Sequence, residues 1–256
     1  PSFAPPAIRP NHLLLVAASG HPNFGLVFDA LSRIVVYNFD PHAMKLQSEP
    51  NPDQVLHRDG GNAPSIVGRL APDVRDEIAR DLSLIVKGVS GIDHKILGTQ
   101  ETIEFRQTVQ GQSHPWRFDA RSMSDGTLRA LGVLIAVKQK YADEERETFP
   151  LTVALEEPET ALHPYAAKRL LSALEAASEH RQILVTSHGA DLLDNDEIPT
   201  DALLAIDHDQ GKTQIGPIDE ATKKTLKERL FTAGELLRMG QIHPAAGTLD
   251  DVRKES

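Results

Sequence analysis

The first half of the chain combines short apolar runs with one clear helical pattern. Residues 13–16 and 34–37 are continuous apolar runs, which predict two strands with a helix between them. After Pro72, apolar residues recur at the spacing of one helical face. This spacing predicts a helix that buries Val74, Ile78, Leu82 and Ile85.

Alternation of apolar and polar residues takes over between residues 95 and 118. Residues 102–106 show it most clearly, and Gly111 is placed to turn a hairpin. A helix followed by alternating strands predicts an α+β arrangement for this half of the chain.

The second half has the rhythm of a parallel sheet. Buried-strand patterns at residues 151–155 and 183–185 are separated by a helical pattern at 165–177. Residues 203–206 predict a third strand. A further helix ahead of them is marked by Leu128, Leu131, Leu134 and Ile135. Alternation of helices and buried strands predicts an α/β fold.

The composition is that of an ordinary globular protein, with 256 residues, 40% of them hydrophobic, and a formal net charge of −10. It excludes low-complexity, collagen-like and disordered classes. The absence of cysteine excludes disulfide frameworks, thiolate metal sites and a cysteine nucleophile. The acidic balance argues against nucleic-acid binding through net charge, although it leaves room for a local basic patch.

No apolar run reaches the length of a membrane span, and the first residues lack the pattern of a signal peptide. The cytoplasm is therefore the expected location. The chain begins with Pro1 instead of Met, which indicates a fragment or a processed chain.

Two carboxylates, Glu156 and Glu157, directly follow the predicted strand at 151–155. Open α/β folds bind ligands at the carboxyl ends of their parallel strands. There, one carboxylate can hold Mg²⁺ through water while its neighbour polarises an attacking water. The alternative is that these acids, with Glu159, form a solvated loop, and the segment alone favours neither interpretation.

The next predicted strand leads directly into Ser187 and His188. A histidine at this edge of the sheet would lie beside the same pocket, where it could contact a phosphate or the attacking water. The chain has 11 histidines, and the position at a strand end distinguishes this one.

A third segment, residues 124–127 with the sequence Ser-Asp-Gly-Thr, directly precedes a predicted helix. Serine or aspartate in this place caps the free N–H groups of the helix, and alone the segment favours that interpretation. The same geometry also makes an anion site, because the hydroxyl, the glycine backbone and the helix N-terminus all direct donors at a phosphate.

Together these segments resemble the carboxyl-terminal half of an ABC-type ATPase, in the branch of the SMC, RecF-like and bacterial predicted-ATPase proteins. Residues 124–127 resemble the signature motif, 151–157 resemble Walker B, 159–164 the D-loop region and 186–188 the switch-histidine loop. Residues 56–62 and 231–236 are similar to the lobe and tail of the predicted-ATPase group.

The resemblance implies a P-loop NTPase fold of the ABC head type, in which helices flank a parallel sheet and an α+β lobe precedes the signature. Residues 1–118 would then hold part of the core sheet and the lobe. Residues 119–256 would hold the signature, Walker B, D-loop and switch-histidine portion of the same composite domain.

The resemblance also implies roles for single residues. Glu157 would activate the attacking water, and Glu156 would hold Mg²⁺ through water in a position where the family usually has Asp. His188 would sense the γ-phosphate of ATP. The signature residues Ser124, Asp125, Gly126 and Thr127 would bind the nucleotide held by a partner subunit. Of these, Ser124 and Gly126 would contact its γ-phosphate.

A signature that works in trans implies a head-to-tail homodimer with two composite ATP sites. Relatives of this type serve DNA repair, chromosome handling and anti-phage defence, often together with a nuclease or another effector. DNA and an effector subunit are therefore the further partners that the resemblance implies.

The chain departs from the family in one respect. The loop G-x-x-x-x-G-K-[ST], which cradles phosphates with backbone N–H groups and a lysine, occurs nowhere in it. In the family this loop lies near the amino terminus. We therefore expect the loop on a removed segment or on another chain, and expect this chain alone to bind ATP poorly and to be inactive.

Two other functions compete with this one. In a Toprim-like nuclease, Glu156 would bind two Mg²⁺ ions together with Asp207 and Asp209. Such strands usually place glycine after the glutamate, however, and residues 207–211 favour a hairpin turn between 205–206 and 213–215.

The second competitor is a non-catalytic scaffold that keeps the ATPase shape. The presence of Glu157 together with His188 argues against it. Three arginines that flank the signature could contact nucleotide or DNA, although a solvated face explains them more simply: Arg117, Arg121 and Arg129.

Overall fold

The computed structural model describes residues 14–139, 150–195, 198–209 and 211–245. The helices are α1 (Leu14–Ala18), α2 (Pro22–Ser32), α3 (Pro41–Lys45), α4 (Ala63–Arg69), α5 (Pro72–Ile85), α6 (Asp125–Lys138), α7 (Pro164–Ser178), α8 (Ala190–Leu193), α9 (Glu220–Lys227) and α10 (Ala233–Arg238). The strands are β1 (Ile34–Tyr37), β2 (Val89–Leu97), β3 (Gln100–Gln107), β4 (Trp116–Asp119), β5 (Thr152–Glu156), β6 (Gln182–Thr186), β7 (Leu204–Asp209) and β8 (Lys212–Pro217).

The chain divides into two compact units. The first comprises Pro1–Pro158 and Ala173–Thr186, and the second comprises Glu159–Ser172 and Ser187–Ser256. The predicted boundary at residue 118 separates two parts of one composite domain, and that boundary stays a prediction. Within the described ranges, no helix is long and apolar enough to cross a membrane.

A parallel sheet in the order β1-β5-β6 lies in the first unit. Its register pairs Tyr37 with Leu155 and Glu156 with Thr186, so that the three strands end at one edge. Tyr37, Val153 and Leu155 are buried, and the ring of Tyr37 stacks on that of Phe39 with 5.3 Å between centroids. A parallel sheet with flanking helices confirms the predicted α/β class.

Helix α6 is the most buried helix of this unit. Ser124 begins it as the N-cap, and the four predicted core residues Leu128, Leu131, Leu134 and Ile135 are fully buried. A Cβ atom on Gly132 would lie 2.7 Å from the Phe39 ring, closer than real Cβ contacts. Glycine at this position therefore lets the ring pack against the helix.

The predicted α+β lobe is also confirmed. Strands β2, β3 and β4 form an antiparallel sheet, and α5 packs against β2 and α6. The predicted helix after Pro72 is α5, and its expected apolar face is buried. Gly111 lies in the β3–β4 connection with a φ of 82°, a conformation that glycine adopts without strain.

Two predictions about strands were wrong. Residues 14–16 of the predicted first strand lie in helix α1, and Leu13 lies outside the described residues. The strand predicted at 203–206 exists as β7, but it pairs antiparallel with β8 in a separate two-stranded sheet of the second unit. The predicted hairpin between these strands is confirmed, with Gly211 at a φ of 80°.

Candidate functional site

The carboxyl edge of the parallel sheet brings Glu156 beside Asn38. Asn38 follows β1, and its Nδ2 donates a hydrogen bond of 2.9 Å to Glu156 Oε2 at the end of β5. Glu156 is exposed, so the rest of its carboxylate faces solvent. The edge therefore presents one carboxylate and one amide side by side.

Glu157 has an unusual backbone conformation. Its φ is 43°, in the left-handed region that costs a non-glycine residue about 1–2 kcal/mol. Its N–H still donates to Thr186 O at 3.0 Å, which extends the β5–β6 pairing by one residue. Backbone strain that the surrounding structure maintains is typical of functional sites. The chain thus turns sharply at the residue predicted to activate water.

The signature segment, residues 124–127, lies at the start of α6 in the same unit. Ser124 Oγ accepts a hydrogen bond of 3.2 Å from Thr127 N and lies 2.7 Å from Thr127 Oγ1. The capping interpretation is therefore confirmed. Ser124 and Asp125 are exposed, whereas Gly126 and Thr127 are buried.

Asp125 forms an ion pair with Lys45, the last residue of α3, at 2.6 Å. This hydrogen bond holds the pKa of the Asp125 carboxyl below its usual range, and the charge of Arg129 acts in the same direction. The predicted signature segment is therefore tied to α3 of the same chain.

His188 belongs to the second unit, where it is exposed between Ser187 and Gly189. Glu159 Oε1 accepts hydrogen bonds from Ser187 Oγ at 2.5 Å and from the Gly189 N–H at 3.2 Å. Ser187 Oγ also accepts from the Gly189 N–H at 2.9 Å. Both neighbours of the histidine are thus fixed.

The acids of the competing nuclease lie in different units. Glu156 is in the first unit and β7, with Asp207 and Asp209, is in the second. Asp207 contacts His243 Nδ1 at 3.2 Å and accepts from the His208 N–H at 2.7 Å, and both contacts lower its pKa. Its carboxylate is therefore already engaged by protein groups.

Arg117, one of the three arginines that flank the signature, donates to Glu104 at 2.8 Å across the lobe sheet. The Arg117 side chain is 68% exposed, which fits the simpler interpretation of a solvated face, while its partner Glu104 is buried.

The sequence reasoning missed Asn38 and Lys45, and it named Glu159 only as part of an acidic loop and of the D-loop region, without its contact to the His188 loop. A signal existed for Asn38, because it directly follows the predicted strand at 34–37, the same position that singled out Glu156. Lys45 and Glu159 act through side-chain contacts with residues that are distant in sequence, and no local pattern reveals these.

The sequence profile of a family described as "AAA domain, putative AbiEii toxin, Type IV TA system" matches residues 24–194. The chain belongs to this AAA-domain family. The match covers more than half of the chain and includes the signature segment, the acids after β5 and His188. It confirms the predicted resemblance to this type of ATPase, and membership supports a nucleotide-binding ATPase function.

Several solved SMC structures are similar to this chain. One, described as "Structural biochemistry of ATP-driven dimerization and DNA stimulated activation of SMC ATPases", has 11% identity and a TM-score of 0.44, over 61% of this chain and 90% of that chain. The Smc head domain with a coiled coil and joint from Pyrococcus yayanosii has 11% identity and a TM-score of 0.44, over 62% and 29%.

The SMC head domain from Thermotoga maritima has 19% identity and a TM-score of 0.37, over 57% of this chain and 47% of that chain. This chain thus spans less than half the length of the latter two proteins. No curated protein matches it.

Proposed function

We propose that this chain is the carboxyl-terminal portion of an ATPase head that hydrolyses ATP to ADP and phosphate. The observation that carries the proposal is the strand edge at which Glu156 meets Asn38 and the next residue, Glu157, turns out of the strand with a left-handed backbone. A carboxylate held at a fixed turn is suited to orient and polarise an attacking water. Family membership supports the same reaction.

Glu156 and Asn38 fit a Mg²⁺ site that is completed by nucleotide phosphates. Carboxylate and amide oxygens are the ligands that Mg²⁺ takes in proteins, commonly with waters and substrate phosphates. Among the described residues, no group of three or more His, Cys, Asp or Glu side chains could hold a metal. When bound, Mg²⁺ would neutralise phosphate charge, while Glu156 holds it through water.

We infer that a segment outside this sequence supplies the phosphate-binding loop, either on the same gene product or on a separate chain. The core sheet supports this inference. Leu184 and Val185 of the last strand, β6, are 46% and 37% exposed, and Val36 on β1 is 45% exposed. Because parallel sheets normally have both faces covered, these strands present the surface that a further strand and helix would cover.

We also propose that the complete protein acts as a dimer. Ser124 and Gly126 would bind the γ-phosphate of the nucleotide held by the partner subunit, and His188 would contact the γ-phosphate in its own subunit. Each of the two ATP sites would then need residues from both chains, which makes dimer formation dependent on nucleotide.

The process that ATP hydrolysis drives is proposed to be anti-phage defence in the cytoplasm, with an effector or nuclease subunit as partner. The family description names a toxin of a type IV toxin–antitoxin system, which supports a role in defence. DNA work is the second candidate, and the resemblance to SMC and RecF-like proteins supports it.

The test compares ATP binding and hydrolysis by this chain and by the same chain joined to the loop-bearing segment. We expect affinity and turnover only in the combined form. Glu157→Gln should abolish turnover while it leaves ATP binding intact, because the amide cannot accept the proton of the water. Glu179→Gln, at an exposed position just after α7, is the matched control.

Unchanged turnover in Glu157→Gln would remove Glu157 from the mechanism. Cleavage of DNA by this chain alone with Mg²⁺ or Mn²⁺ would assign the acids to a nuclease instead.

A further inference from the structure

Glu159 contacts both residues that flank His188. Its Oε1 accepts from the Ser187 hydroxyl at 2.5 Å and from the Gly189 N–H at 3.2 Å. The Gly189 N–H is shared with Ser187 Oγ at 2.9 Å, so that three groups form one closed set of hydrogen bonds. A carboxylate acceptor makes such bonds stronger than a neutral one does. All of these groups lie in the second unit.

The packing around Gly189 shows how closely the carboxylate approaches the loop. Gly189 has a φ of −84°, which any residue can adopt. A Cβ atom there, however, would lie 2.8 Å from Glu159 Oε1 and 3.0 Å from Glu159 Cγ. The glycine is therefore needed for space and not for backbone conformation. Its absent side chain is what lets Glu159 rest against the loop backbone.

The second carboxylate oxygen, Oε2, is buried and has no hydrogen-bond partner among the described residues. All of the observed contacts of this carboxylate are therefore made through Oε1, and all of them go to the loop that carries His188.

We propose that Glu159 is a positioning residue that fixes the His188 loop for contact with the γ-phosphate. This inference rests on the proposed role of His188. Glu159 holds the backbone on both sides of His188, whose side chain is exposed. Groups that act on a reacting phosphate need positions fixed to within about 0.5 Å.

Glu159 lies close in sequence to Glu157, the residue proposed to activate water. Glu159 follows Glu157 by two residues, so the water-activating carboxylate and the loop-holding carboxylate share one short segment after β5.

The first test measures hydrogen exchange of the Gly189 amide by NMR in this chain without nucleotide. Glu159→Ala removes one of the two acceptors of this N–H and leaves Ser187 Oγ, so exchange should become faster by up to about tenfold, the ratio that corresponds to the loss of one hydrogen bond to a charged group. Glu159→Gln keeps an acceptor oxygen and should stay within about threefold of the natural chain. Glu179→Ala is the control for loss of an exposed carboxylate.

An unchanged exchange rate of the Gly189 amide in Glu159→Ala would show that Glu159 does not hold the His188 loop, and would overturn the proposal. Because this experiment needs neither ATP nor the phosphate loop, its result does not depend on the proposed ATPase function.

The second test uses the combined, ATP-hydrolysing form. Glu159→Ala should lower kcat about tenfold with KM for ATP unchanged, and Glu159→Gln should restore most of the rate. In a background of His188→Ala, the same Glu159→Ala change should lower kcat by less than about twofold, because the residue it positions is already gone. Full additivity of the two losses would show that Glu159 acts independently of His188 and would overturn the positioning role.

Discussion

The amine of Lys45 lies 2.6 Å from the Asp125 carboxylate, which ties the end of α3 to the first turn of α6. Asp125 is also favoured at this place because negative charge stabilises a helix N-terminus. The pair occupies the Asp125 side chain, while the neighbouring Ser124 is exposed. Asp125 is therefore held by an ion pair, whereas Ser124 caps the helix and remains exposed.

Lys45→Ala should loosen the signature segment without unfolding the protein. The pair is exposed, and exposed ion pairs contribute little to stability, so the melting temperature should hardly change. ATP-dependent dimerisation of the combined form, measured by light scattering, should weaken several-fold. Lys223→Ala, which breaks the exposed pair with Glu220 within α9, is the control and should leave dimerisation unaffected. Equal dimerisation in the two variants would show that the Lys45 contact has no part in closure.

Substitutions at Ser124 should separate its capping role from its role in the dimer. Ser124→Ala removes the cap and should lower the free energy of unfolding by about 1 kcal/mol, measured with urea. Ser124→Arg should in addition block ATP-dependent dimerisation, because it places bulk and charge against the nucleotide of the partner. Normal dimerisation of Ser124→Arg in light scattering would contradict contact in trans.

Gly132→Ala should destabilise the first unit. The added Cβ would lie 2.7 Å from the Phe39 ring in a packed interior, and such overpacking costs about 1–3 kcal/mol. The comparison is Gly20→Ala, where no atom lies within 4 Å of the added Cβ. Urea unfolding of both variants checks the expectation, and equal free energies of unfolding would contradict the tight packing of Phe39 on α6.

Substitution of Asn38 should change the affinity for Mg²⁺ more than the affinity for ATP. Asn38→Ala removes the hydrogen bond to Glu156 and should weaken Mg²⁺ binding to the ATP-bound form, whereas Asn38→Asp adds a second carboxylate and should strengthen it. Titration calorimetry with Mg²⁺ in the presence of a non-hydrolysable ATP analogue measures both. Identical Mg²⁺ affinities in the two variants would place the metal elsewhere.

The lobe should become less stable at low pH, because Glu104 becomes protonated there. The hydrogen bond from Lys95 lowers the pKa of this buried carboxyl below its ordinary 4.5, and Arg117 adds to the effect against the opposing cost of burial. A carboxyl with a lowered folded-state pKa contributes stability that is present above 4.5 and is lost as the pH falls through the folded-state value.

Urea unfolding as a function of pH checks this sign. The natural chain should be more stable than Glu104→Gln by a constant amount above about pH 5, and the difference should shrink below the ordinary carboxyl pKa. If the stability difference between the natural chain and Glu104→Gln grows toward low pH, the pKa of Glu104 is not lowered in the folded state.

Elements with a long periodic pattern could be predicted from the sequence. Helices α5 and α6 show their buried faces over several turns, and strands β5 and β6 are bounded by polar residues. Residues 13–16 could not be assigned in this way, because four apolar residues fit a helix as well as a strand. The partner of β7 is set by contacts between distant residues, which a local pattern does not contain.

The candidate site could likewise be predicted only where a local sequence pattern marks its residues. The rule that ligands meet the carboxyl ends of strands selects Glu156 and Glu157 in the sequence, and applied to β1 it also selects Asn38. The contact between Glu159 and Ser187 depends on the path of two loops whose residues are 28 positions apart. Only the folded chain shows it.

The burial of α6 determines how the signature segment can respond to a load. Nearly all of this helix is enclosed from Gly126 to Val137, and at its far end Lys138 is bound by Glu77 and Asp81 of α5. Close-packed interiors have low compressibility and transmit strain, so a movement of the helix is passed to the elements packed against it. A displacement of α6 at Ser124 would therefore also displace α5 of the lobe, through the two ion pairs of Lys138.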